Sequence, residues 1–141
     1  MSAYELLAPY VNDDPVVPRP EHPDSAVFLT LQDGVKVIYS VDTAPTCGIR
    51  IIHPSNPKAP SSRLGLSMLF VPPGGEMALH QHEAEEVYVI QSGTGQMLYA
   101  DGSRDVSPGD FVYLPAWAHH GIVNTGREML QVLLALTPPN P

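Results

Sequence analysis

The sequence predicts an all-β fold, a sandwich or barrel of short strands, and three observations predict it. Proline supplies 16 of the 141 residues, about twice its usual share, and proline breaks helices and central strands. Short runs rich in Val, Ile and Leu recur along the chain, separated by Gly, Pro, Asn and Asp. No long helical pattern competes with them. The length fits one domain with one core.

The elements follow in order. Residues 3–11 read as one or two helical turns, interrupted near Pro9, and residues 12–24, with Pro15, Pro18, Pro20 and Pro23, as an extended arm. Residues 1–24 are therefore expected to be an extension packed on the barrel or on a partner subunit, and residues 25–141 the barrel itself. Ala26–Leu31 and Val35–Val41 are expected to pair as a hairpin, with Asp33-Gly34 in the turn. Strands are then expected at Gly48–His53, Leu64–Val71, Met77–His82, Glu86–Gln91, Gln96–Ala100, Asp110–Leu114, His120–Asn124 and Met129–Leu136, with Asp101-Gly102 as a second hairpin turn. Gly74-Gly75 and Gly93-Thr94-Gly95 suit turns, since no helix follows either to make a phosphate loop.

Seven basic against fifteen acidic residues give a net charge of −8. A nucleic acid or an anionic lipid surface would repel such a chain, so neither is expected as a partner. Cys47 is the only cysteine, which excludes an intramolecular disulfide. Met1–Glu5 lacks the basic start and apolar run of a signal peptide, and no apolar stretch approaches membrane-helix length. A cytoplasmic location is the expectation.

The chemistry is concentrated in His80, His82 and Glu86. Side chains alternate along a strand, so His80 and His82 share a face about 7 Å apart, a separation from which two imidazoles can converge on one ion. Glu83–Glu85 would turn the chain, letting Glu86 face the same interior. A fourth ligand must come from elsewhere, and His119-His120 is the only other pair of histidines.

These residues sit in two spaced motifs. Gly74 is followed after five residues by His80-Gln81-His82, after three more by Glu86 and after six by Gly93. Gly109, Pro115, His120 and Asn124 form the second set, with Trp117 between Pro115 and His120. In order and spacing both sets resemble the two motifs of the cupin superfamily, with one departure: Trp117 stands where the second motif has a glycine. Trp does not tolerate the positive φ open to Gly, so a different loop is expected there. The motifs cover residues 74–124, about a third of the chain.

The resemblance implies a jelly-roll (double-stranded β-helix) barrel holding one divalent transition metal, Fe, Mn, Ni, Zn or Cu. The implied ligands are His80, His82, Glu86 and His120. Motif spacing selects His120 over His119, and alternation agrees: if one points inward, the other points away. It also implies a homodimer, and a small molecule as substrate. By parity Tyr88, Ile90, Ile122 and Asn124 face inward, with Ala78 on the metal side of His80. Tyr88 is the candidate catalytic residue, because a phenol two residues from a ligand can donate a hydrogen bond or act as a base. Trp117, Ile90, Ile122 and Arg50 are the candidate substrate contacts; Trp117 can stack on a flat molecule and Arg50 can pair with an acidic one. His22, His53, Glu83, Glu85 and Cys47 have no link to the site. The expected function is a metal-dependent enzyme, foremost a dioxygenase acting on an enolic or aromatic compound. A lyase, isomerase or cyclase using the metal as a Lewis acid is the alternative, and a non-catalytic binding module the third.

Overall fold

A computed structural model describes Tyr4, residues 14–39 and residues 44–139. The expected helical turns at 3–11 lie, apart from Tyr4, outside the described residues. Every described residue from 14 to 28 is exposed, and Phe28 is 91% exposed.

The chain forms ten strands, β1 (Val35–Ile38), β2 (Cys47–Ile52), β3 (Gly65–Val71), β4 (Glu76–His80), β5 (Glu85–Ser92), β6 (Gly95–Tyr99), β7 (Gly102–Val106), β8 (Phe111–Leu114), β9 (His120–Asn124) and β10 (Leu130–Thr137). They make two antiparallel sheets, one of six strands in the order β1-β2-β3-β10-β5-β8 and one of four in the order β4-β9-β6-β7. Sequence neighbours lie mostly in different places in the sheets, which is the jelly-roll arrangement expected. Among the described residues no helix is long and apolar enough to cross a membrane.

The strand periodicity is plain in β3 and β10, where inward Leu69, Val71, Leu130, Val132, Leu134 and Leu136 alternate with partly exposed residues. Leu69, Val71, Ile90, Leu130 and Val132 from the large sheet meet Met97, Val106 and Ile122 from the small one in the apolar core. The row two residues on from Gly48–Leu69–Val132–Ile90, and so on the same face, is Val35–Arg50–Ser67–Leu134–Tyr88–Val112, which crosses all six strands of the large sheet.

Two local expectations are corrected. The hairpin about Asp33-Gly34 does not form: Leu31–Asp33 is a short 3-10 turn, and the Asp33 carboxylate accepts from the Thr30 backbone at 2.7 Å. An aspartate that caps the chain three residues back competes with a hairpin turn. Gly34 itself is extended, with φ −82°, and is needed for closeness, since a Cβ there would lie 2.2 Å from the Ile49 side chain. The second hairpin forms, but Ala100-Asp101 make its turn, Tyr99 pairing with Gly102. Its returning strand β7 was not expected, because Gly102–Asp105 is exposed on both faces and shows no apolar alternation.

Candidate metal centre

Three histidines converge from two strands of the small sheet and the segment that follows one of them. His80 ends β4, His120 opens β9 directly opposite it, and His82 lies two residues beyond β4. Their ring centroids are 4.2 Å apart for His80–His120, 4.8 Å for His82–His120 and 5.7 Å for His80–His82. One nitrogen from each lies within 4.8 Å of the others. The histidines are thus positioned for a metal ion. Glu86, on β5 of the opposite sheet, reaches the same point: its Oε1 lies 3.2 Å from Nε2 of both His82 and His120. His119 is exposed and faces away, while His120 is 1% exposed.

Each imidazole is oriented by its own chain. Nδ1 of His80, His82 and His120 donates to the carbonyl oxygens of Ala78, Ala84 and Ala118 at 2.7, 2.9 and 2.8 Å. A neutral imidazole whose Nδ1 carries the proton presents a bare lone pair at Nε2, the ligating form. His120 Nε2 is buried without a hydrogen-bond partner. Two such lone pairs therefore face one carboxylate oxygen, and Glu86 is 4% exposed with no Lys or Arg partner among the described residues. Acceptors packed against acceptors, around a buried carboxylate, call for a cation between them. The donor set of three imidazoles and one carboxylate suits a divalent transition metal. Burial holds His80 below the ordinary imidazole range, and neighbouring His120 and His82 push the same way, against the Ala78 carbonyl and Glu86. That keeps it neutral.

Beside the histidines lies a cavity of about 150 Å³, lined by Tyr39, Ser67, Met77, His80, His82, Glu86, Tyr88, Leu134 and Leu136. Tyr88 is 1% exposed and meets His120 edge-on at 5.7 Å. Burial, then the Glu86 charge, raises the Tyr88 phenol well above its ordinary value, so it stays protonated at neutral pH.

The remaining expected site residues lie elsewhere. Ile90 and Ile122 do face inward, but they pack in the apolar core, not along the cavity, because one further step along each strand carries the side chain past the metal centre. Met77, not Ala78, is on the cavity side: the β4–β9 register shifts between Met77 and His80, and a shift of that kind reverses the faces. Trp117 is 57% exposed and does not line the cavity. It takes the positive φ expected of the glycine it replaces, at 68°. Pro115 and Ala118 close a turn there by a 3.0 Å hydrogen bond, and the Trp117 N–H donates to the His82 carbonyl at 2.8 Å. That turn geometry favours Gly at the Trp117 position. Arg50 lies on the inner face beside Ser67. Asn124 is structural: its Nδ2 donates to Val71 and Glu128 carbonyls at 2.7 and 2.8 Å and its Oδ1 accepts from Gly126 N–H at 2.8 Å.

Sequence reasoning missed Tyr39, Ser67 and Met77. Ser67 was findable as the polar residue at an inward position of an alternating strand. Tyr39 was not: its ring crosses over Gly48, where a Cβ would lie 2.7 Å from it.

Comparison with known proteins agrees with this geometry. The family model for the cupin domain matches residues 67–136. An uncharacterized protein of Methanocaldococcus jannaschii is 33% identical over 90 residues, which span 63% of this chain and 70% of that one. Among solved structures, a predicted oxalate decarboxylase from Thermotoga maritima superposes with a TM-score of 0.67 at 18% identity, over 79% of this chain and 98% of that one. The polyketide cyclase RemF from Streptomyces resistomycificus gives 0.67 at 21% identity, over 82% and 83%. At such identities the two structures speak for the fold alone.

Proposed function

Because this chain belongs to the cupin superfamily, we propose that it is a metal-dependent enzyme of the lyase, isomerase or cyclase kind, acting on a small organic substrate without net oxidation. His80, His82, Glu86 and His120 would hold the metal. The observation that carries this reading is the meeting of two imidazole Nε2 atoms on one buried Glu86 oxygen, with no other cation to separate them. When bound, the ion supplies a Lewis acid that polarises a substrate oxygen and stabilises an enolate-like charge.

The chain supplies the rest. Leu134, Leu136 and Met77 exclude water from one side of the cavity, while the hydroxyls of Tyr39, Ser67 and Tyr88 give it polar contacts. Tyr88, its phenol held protonated chiefly by burial, would donate a hydrogen bond toward the substrate. Positioned hydroxyl donors beside a charge-stabilising centre suit proton transfer, and this moves the reading from the oxygenation expected of the sequence to non-oxidative chemistry.

Two measurements test it. Metal-replete protein screened against small enolisable acids and ketones is expected to turn over equally with and without oxygen. Turnover that requires oxygen and consumes it in step with substrate would restore the dioxygenase. Protein purified without added metal is expected to retain about one divalent ion per chain by elemental analysis; a metal-free, non-binding protein would defeat both enzymes.

A further inference from the structure

Arg50 is the inward-facing charge that the metal centre does not use. It lies within β2, paired with Ser67 of β3, and directly paired residues share a face of the sheet. Ser67 lines the cavity, so Arg50 belongs to the inner surface. The same row runs on through Leu134 to Tyr88. From Arg50 to Tyr88 is therefore a path of roughly 14 Å across the sheet, and the cavity occupies its middle.

An arginine on an inner face ordinarily has a partner. This one has none: its Nε is sealed from solvent without a hydrogen bond, and no carboxylate among the described residues is within ion-pair distance. The groups that feel its charge are His53 and Tyr39. Tyr39 lines the cavity and feels Glu86 as well, so one cavity-lining phenol lies within electrostatic reach of both Arg50 and the metal centre. Arg50 is partly buried and only its Nε is sealed without an acceptor; a planar fork of donors left with an open partner position matches a carboxylate bidentately.

We propose that Arg50, which does not itself line the cavity but pairs with the cavity-lining Ser67, receives a carboxylate of the substrate, and that the enzyme acts on small organic acids held between Arg50 and the histidine centre. This rests on the cavity being the substrate site, as proposed above. The Tyr39 and Ser67 hydroxyls flank the path and can donate to the same anion.

The test is calorimetric titration of metal-loaded protein with malonate, succinate and glutarate and with the monoamide of each. At one or more lengths the diacid is expected to bind roughly ten- to a hundredfold tighter than its monoamide. Arg50→Gln is expected to erase that preference without changing metal content, and Arg50→Lys to keep part of it. No preference at any length in the wild type, or an unchanged preference in Arg50→Gln, overturns the proposal. Should Arg50→Gln not fold, Arg50→Lys decides: it must weaken the diacid while leaving the monoamide unaffected, and equal diacid binding overturns the proposal. Titrating metal-free protein separates the two readings. A wild type that holds no metal yet prefers the diacid sinks the metal enzyme and leaves the Arg50 site standing.

Discussion

The two halves of the barrel interior differ in content although the same strands line both. Along β9, His120 belongs to the metal centre and Ile122, two residues on, to the apolar core; along β3, Ser67 lines the cavity and Leu69 the core, while on β5 Tyr88 touches both and Ile90 the core alone. The core half is filled chiefly by apolar side chains at 6% exposure or less, whereas the other half is hollow and sets the histidines, Glu86 and three hydroxyls against Met77, Leu134 and Leu136. Alternation decides which face a residue takes, and distance along the strand decides which half it serves. Stability and chemistry are thus separated by one step of side-chain repeat, not by domain or layer.

That separation can be broken by mutation. The largest effect is expected at the polar end: His82→Ala and His120→Ala should each abolish stoichiometric metal by elemental analysis, while His119→Ala leaves it intact. Next comes the core, where Ile122→Ala should cost about 2–5 kcal/mol in denaturant unfolding yet leave the folded protein fully metallated. Metal loss there equal to that of His120→Ala would show the halves to be one unit. Asn124→Ala, which strips three hydrogen bonds from the link between the core and the β9–β10 turn, should cost about 2 kcal/mol.

A smaller effect concerns pH. Burial holds His80 in the folded chain below the ordinary imidazole value, so the unfolded chain takes up the proton first. Metal-free protein should therefore lose stability as pH falls from about 6.5 toward that depressed value, a slope that His80→Gln flattens. The smallest is a gain: Trp117→Gly should stabilise the fold by about 1 kcal/mol, since it relieves a positive φ that an exposed indole does not offset by burial.

Much of this was legible in the sequence, and the exceptions have causes. The strands at Gly65–Val71, Glu85–Ser92, His120–Asn124 and Leu130–Thr137 carry alternating or continuous apolar residues, which any half-buried sheet requires. The gathering of His80, His82 and His120 was expected from the family resemblance of the two motifs, and the structure brings these three together. Strand β7 was hidden because it is exposed nearly throughout and bears no pattern. Met77 replaced Ala78 because a register shift carries no local signature. Tyr39, just past the end of β1, depends on the absence of a side chain at Gly48, nine residues away in β2, and pattern along one strand does not report such a relation. Trp117 is the converse: the residue type argued against the backbone conformation, and the surrounding turn imposed it.

The three imidazole anchors carry a last consequence. Every one is a carbonyl just two positions from the histidine it holds, at Ala78, Ala84 and Ala118, so the aim of each ring is settled within a tripeptide. None of these three anchors is a cavity side chain. The cavity walls are accordingly free to drift toward new cargoes while the tripeptides keep pointing at the same spot, and chemical diversification of such a scaffold can proceed without re-inventing its centre.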